Sequence, residues 1–229
     1  MPIRKKILIV DNSIDKKCSR CSQFHRHFRA ETSVFHTNER PLPKNLSIYS
    51  HIVLTGSASN VNELSEIYAR LHPFILRAEK AGIPMLGICF GFQAIIASFA
   101  DFSAIEHYQH PEIGWTKIKV TNNSALFNGM PKKFYAFENH ISSVRHLPSE
   151  LIMTAESNDG DMQAFEHKTK PIWGVQFHPE YTAHHGTLAV ARWLKRRVPS
   201  SWFANKHQPP KYNPAIAEKV LYNFYNASK

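Results

Sequence analysis

Four short apolar runs set the tightest limit on this chain: Ile7-Leu8-Ile9-Val10, Val34-Phe35, Ile52-Val53-Leu54 and Met85-Leu86-Gly87-Ile88. Such runs, bounded by turn formers, predict strands, the first and the last of them buried, as in a sheet with helices on its faces. The third run leads through Thr55-Gly56-Ser57-Ala58-Ser59-Asn60 into a predicted helix over 62–81. There Leu64, Ile67, Leu71, Ile75 and Ala78 recur at spacings of three and four. Gly82 stops that helix and Pro84 opens the next strand, which is followed by helical sequence over 92–99. Strand and helix in alternation predict a parallel sheet.

Beyond residue 113 the character changes. Residues 115–121, 133–137, 151–155, 162–165 and 172–177 are short alternating stretches separated by turns, as in hairpins. A helix over 184–197 follows, then Pro199, Pro209-Pro210 and Pro214 mark a linker to a terminal helix carrying Ile216, Val220 and Phe224. The expected fold is a three-layer α/β domain with a flavodoxin-like, mostly parallel sheet and helices on both faces. A small antiparallel flap and a C-terminal helical extension complete it. The expected division is a domain over 1–198 and a basic, aromatic-rich extension over 199–229.

Composition narrows the function classes. At 229 residues, 43% hydrophobic and 20% charged, the chain is long and apolar enough to bury one core, which excludes intrinsic disorder. The apolar stretch over 83–100 is interrupted by Pro84, Gly87, Gly91, Gln93 and Ser98, so no membrane span is expected. The basic start runs into only four apolar residues before Asp11, too few for a signal peptide. Three cysteines make no disulfide framework, and a cytoplasmic setting is expected. The net charge of +10 invites a nucleic-acid reading, but it sits at the ends. Residues 1–30 carry +6 and 192–229 carry +7, leaving −3 between them.

The chemistry concentrates in three places. In Gly87-Ile88-Cys89-Phe90-Gly91-Phe92-Gln93 a buried strand turns abruptly into a helix, with glycines two residues either side of Cys89. This is the cysteine counterpart of a nucleophile elbow. It lifts the thiol to a helix N-terminus, where thiolate is favoured. In Val175-Gln176-Phe177-His178-Pro179-Glu180 a strand delivers His178 at its carboxyl end, with Glu180 returning toward the ring. Nucleophile, base and orienting carboxylate are thus all present. Third, the N–H groups of Gly56 and Phe90 are candidates for an oxyanion hole. Each piece alone is ordinary: a buried Cys is usually packing, and a Thr-Gly-Ser turn is common loop chemistry. Together, each at the end of a predicted parallel strand, they point to a site.

GICFGFQ, VQFHPE, LTGSASN and FENHISS, over about residues 5–195, resemble the class I glutamine amidotransferase family. The resemblance implies that Cys89 is the nucleophile, His178 the general base and acid, and Glu180 its orienter. It maps the glutamine pocket onto Gly56, Phe90, Gln93, Asn139, His140, Ile141 and Ser142. The implied reaction hydrolyses L-glutamine through a γ-glutamyl thioester on Cys89, with no metal and no organic cofactor. The sequence departs from many members at Ala58 and Phe92, neither a catalytic position. No phosphate-binding G-x-x-x-x-G-K-[ST] loop or synthetase-like segment occurs. The expected partner is therefore a separate synthetase subunit that accepts ammonia. The alternatives are a stand-alone γ-glutamyl peptidase with the same triad, and a catalytically weak partner-binding protein.

Two further patterns have plainer readings. Cys18, Cys21, His25 and His27 crowd too closely for a structural zinc site, and a solvated basic segment is expected. Trp202, Phe203, Tyr212, Tyr222, Phe224 and Tyr225, interleaved with lysines, resemble a single-strand nucleic-acid surface. Packing onto the chain's own domain or a sister chain is preferred, with the basic ends as docking surfaces for an acidic partner.

Overall fold

All four early runs become strands, and five more follow. In the computed structural model, which describes residues 6–14, 21–28, 30–62 and 64–227, they are β1 (Lys6–Asp11), β2 (Glu31–His36), β3 (His51–Leu54), β4 (Met85–Ile88), β5 (Ile105–Val120), β6 (Lys133–Val144), β7 (Leu151–Ser157), β8 (Met162–His167) and β9 (Ile172–Val175). They form one sheet in the order β2-β1-β3-β4-β9-β8-β7-β5-β6. The first five in that order pair in parallel, as in a doubly wound sheet. The remaining pairings are antiparallel.

Side chains alternate across each central strand, so each strand feeds two cores. Leu8, Val10, Ile52 and Leu54 meet helices α2 (Glu66–Lys80) and α3 (Phe90–Phe99) on one face. Ile7, Ile9, Val53 and Leu86 meet α1 (Cys21–His25) and α5 (Pro214–Asn226) on the other. A third cluster joins α4 (Ala183–Lys195) to Trp115, Phe137, Tyr181 and Tyr212 over the antiparallel strands. Helix α2 begins later than its spacing suggests because the Ser65 side chain accepts from the Tyr68 N–H and caps it there. Leu64 is left outside and exposed.

Three expectations need correction. The antiparallel part is no small flap and the sheet is not mostly parallel: parallel and antiparallel pairings are equal in number and continuous through β9. Strand β5 starts at Ile105 despite Pro111 and Gly114. Pro111 falls in the register shift between His107 and Glu112, where no ladder bond needs its missing N–H. Gly114 has φ 120°, and a Cβ there would overlap the Asn205 carbonyl oxygen. The segment near Cys21 is solvated on one side only: His25 and Arg26 are exposed, while Phe24 and Phe28, four apart, bury a stripe with Cys21. Cys21 is disulfide-bonded, and Cys18 lies outside the described residues.

Residues beyond 198 clasp the domain, as the aromatic pattern led us to prefer. Ala204 donates to the Ile113 carbonyl at 3.0 Å, and the Asn205 side-chain amide to that of Trp115 at 2.7 Å. Helix α5 then buries Ala217, Val220, Leu221 and Phe224. Among the described residues no helix is long and apolar enough to cross a membrane.

Candidate active site

One residue separates β4 from α3, and it is Cys89, at φ 52° and ψ −106°. A side chain rarely adopts such a backbone, and the surroundings must enforce it. The two flanking glycines do so. A Cβ on Gly87 would lie 2.5 Å from the Gly91 carbonyl oxygen, and one on Gly91 would overlap that of Leu54. Only bare backbone lets the strand fold back over the helix it starts. The Cys89 N–H donates to the Val175 carbonyl at 2.9 Å, tying the elbow to β9. Cys89 carries a buried thiol at the N-terminus of a ten-residue helix, whose dipole favours thiolate.

His178 follows β9, fixed by its N–H bond to the Phe137 carbonyl at 2.9 Å. Its Nδ1 lies 2.8 Å from Glu180 Oε1, an ion-pair geometry with both side chains buried. A carboxylate only accepts, so the proton sits on Nδ1 and Nε2 is left as the basic nitrogen. The Tyr181 ring packs on the imidazole with centroids 4.5 Å apart. Gly56 lies between the His178 ring and the Cys89 thiol. A Cβ there would be 3.0 Å from His178 Cε1 and 3.9 Å from Cys89 Sγ. The two side chains therefore face one small space bordered by the Gly56 backbone.

A ring of hydrogen bonds backs this space. Gln93, one turn along α3 from Cys89, donates its side-chain amide to the Ser142 carbonyl at 2.9 Å and to Gln176 Oε1 at 3.0 Å. His140 Nδ1 lies 3.0 Å from the same Ser142 carbonyl. The Ser142 hydroxyl donates to Asn60 Oδ1 at 3.3 Å, reaching the loop that carries Gly56.

The family model for class-I glutamine amidotransferases matches residues 8–194. The chain belongs to the class I glutamine amidotransferase family. Among curated proteins it is 35% identical over 129 residues to a glutamine-hydrolysing GMP synthase subunit from Thermoplasma volcanium, covering 56% of this chain and 61% of that one. It is 27% identical over 180 residues to the subunit of the same name from Thermococcus kodakarensis, covering 78% and 92%. The chain thus spans about three fifths of the Thermoplasma relative's length. A glutamine amidotransferase from Thermotoga maritima shares the fold, with a TM-score of 0.71 at 20% identity over 97% of this chain and 96% of that one.

Within this amidotransferase fold, the residues mapped from FENHISS divide between the two faces of β6. Asn139 accepts from the Trp193 indole N–H at 2.7 Å and donates to the Tyr181 hydroxyl at 3.4 Å, turning toward α4. Ile141 shares that face and is partly buried. His140 and Ser142 turn the other way, and Phe90 is buried in the core beside α2. Sequence reasoning missed Gln176, although it stands inside the quoted VQFHPE. It also missed Tyr181, one residue beyond.

It missed a buried charge cluster as well. Glu112 faces His140 across β5 and β6, and Glu138 stands two residues before His140 on the same face. His140 Nε2 lies 3.2 Å from Glu138 Oε2 and 3.5 Å from Glu112 Oε2. Glu112 accepts from the Thr116 hydroxyl at 2.5 Å and from the Gln163 amide at 3.0 Å. Burial works against charge on His140, but Glu112 and Glu138 overcome it and raise its pKa to about 10. Burial pushes Glu138 up to about 7, against the pull of His140 and with the charges of Glu112 and Asp161. Burial would also raise Glu112, but His140, Thr116 and Gln163 hold it below its ordinary value. Residues 112, 138 and 163 carry no spacing signal that joins them; only strand register does.

Proposed function

We propose that this protein is the glutaminase component of a glutamine amidotransferase, with a flavodoxin-like core over about 1–198 and a structural extension over 199–229. The observation that carries this is the buried pairing of Cys89 and His178 around Gly56, with Glu180 holding the imidazole. The Cys89 thiolate attacks the side-chain amide carbon of L-glutamine, forming a C–S bond and an oxyanion held by the Gly56 and Phe90 N–H groups. The C–N bond breaks as protonated His178 gives its proton to the leaving ammonia. Water, deprotonated by His178, then attacks the γ-glutamyl thioester, releasing glutamate and the thiol. Glu180 stabilises the imidazolium throughout. Gln93 and the β6 segment through Ser142 bind the substrate.

The relatives named as GMP synthase subunits support an ammonia acceptor that is a separate synthetase subunit. Mass spectrometry after treatment with a diazoketone analogue of glutamine tests the proposal. Labelling of Cys89, blocked by L-glutamine, is expected; labelling elsewhere, or none, overturns it. A kcat/KM for γ-glutamyl dipeptides well above that for glutamine would replace the glutaminase with a γ-glutamyl peptidase using the same triad.

A further inference from the structure

Behind the pocket, the tautomer of His140 follows from its partners. The Ser142 carbonyl can only accept, so the His140 Nδ1 at 3.0 Å carries a hydrogen. A neutral ring would then hold its Nε2 lone pair beside the oxygens of Glu138 and Glu112, at 3.2 and 3.5 Å though in hydrogen-bond alignment with neither, with His140 and Glu138 themselves buried. That arrangement is repulsive, and little solvent screens it. A proton on Nε2 turns both contacts into attraction. Glu112 is already bound as an acceptor by Thr116 and Gln163, and Glu138, fully buried, has only His140 as an ion-pair partner among the described residues. The charged groups that bear on the ring are Glu112 from β5 and Glu138 from β6. Asp161, between β7 and β8, acts on Glu138. His107 meets the Ser142 hydroxyl at 2.7 Å instead.

The cluster is also wired to the reacting groups. His140 and Gln93 share the Ser142 carbonyl, and Gln93 bonds Gln176. The Gln176 N–H donates to the Gln163 carbonyl at 2.9 Å, and the Gln163 side chain returns to Glu112 at 3.0 Å. The loop is closed, and it includes Gln176, which joins β9 to His178, and the helix that Cys89 opens.

We infer that Glu112 and Glu138 hold His140 as an imidazolium behind the glutamine pocket, and that His140 so held positions the Ser142 carbonyl and the Gln93 side chain to bind glutamine. All three are positioning residues, since none touches the reacting atoms. The inference rests on the glutaminase proposal, and the experiment separates the two. Nitrogen-15 NMR of the whole protein without substrate reads the His140 ring directly. Both ring nitrogens protonated at pH 8 is expected; a neutral ring, or one titrating near 6.5, overturns the inference whether or not glutamine is turned over. Metal analysis of the same sample must show no stoichiometric divalent ion that disappears in His140→Asn, since such an ion would replace the proton. For positioning, Glu138→Gln is expected to raise KM for glutamine about tenfold or more with kcat within about threefold. Alkylation of Cys89 by iodoacetamide stays unchanged. Equal losses in kcat and alkylation, or no change in KM, overturn the positioning role. If Glu138→Gln does not fold, Glu112→Gln, at a partly exposed carboxylate, carries the same expectations. Wild-type protein that releases no glutamate defeats the glutaminase proposal and the positioning role with it, but leaves the NMR result standing.

Discussion

The parallel and antiparallel halves of the sheet build their share of the site by opposite means. The parallel half uses backbone: strand ends, a one-residue turn at Cys89, and glycines whose missing Cβ atoms make the crossing feasible. The antiparallel half uses buried charge, with Glu112, Glu138 and His140 locked on one face of β5 and β6. The proposed nucleophile sits where backbone geometry fixes it, and the proposed positioning groups where electrostatics fixes them. Damage to the first half should therefore be abrupt and independent of pH, and damage to the second graded and pH-dependent.

The sharpest break in the parallel half is removal of the thiol. Cys89→Ala should lower glutamate release by about 10³-fold or more while thermal unfolding stays near wild type. His178→Ala should match it in kcat, and the double variant should add little, because residues that act as one unit are non-additive. Residual turnover within about tenfold of wild type would remove the thioester from the mechanism.

Next is the elbow itself. In Gly91→Ala the new Cβ meets backbone oxygen, which no rotamer change relieves, so about 3 kcal/mol or more of stability should be lost. Denaturant unfolding reads it. A near-neutral result would show that α3 and β3 can part, against a rigid parallel half.

The antiparallel half should answer to pH. The His140 pKa is raised to about 10 in the fold, so the stability it contributes is full below about 6.5 and is lost as pH rises through about 10. Glu138, raised to about 7, acts in the same sense, losing its contribution as pH rises from about 4.5 through 7. The melting temperature should fall between pH 6 and 10 in wild type and fall less in His140→Asn. Equal slopes would place the alkaline loss elsewhere.

The smallest effect belongs to the basic end. Lys206→Gln with Lys211→Gln should leave kcat/KM for glutamine within about twofold, because the triad and its pocket draw no partner from those lysines. Weaker association with an acidic synthetase subunit would give the charge its role. Collapse of isolated activity in a folded variant would join the extension to the site.

The contrast between the halves also explains what the sequence could reveal. The elbow and His-Pro-Glu are legible because each is local: glycines two residues either side of a cysteine, a carboxylate two residues after a histidine. The central strands are legible because burial on both faces removes every polar residue from a short run. Strand β5 is not, since Pro111 and Gly114 read as breakers until the register shift and the clasp by Asn205 are known. The charge cluster is invisible for the same reason. Glu112, Glu138 and Gln163 look like exposed positions of hairpins, and only pairing register turns them onto one buried face.

Helix α5 has a consequence for the chain's birth. Its Val220, Leu221 and Phe224 roof the face of the sheet that holds Ile7 and Ile9, which leave the ribosome long before them. That face has no complete cover until some two hundred further residues have been made, so the nascent protein emerges with an apolar plane open to its surroundings. The final turns of α5 close that interval, and mutations weakening them would surface first as poor yield in the cell and only afterwards as a lower melting temperature.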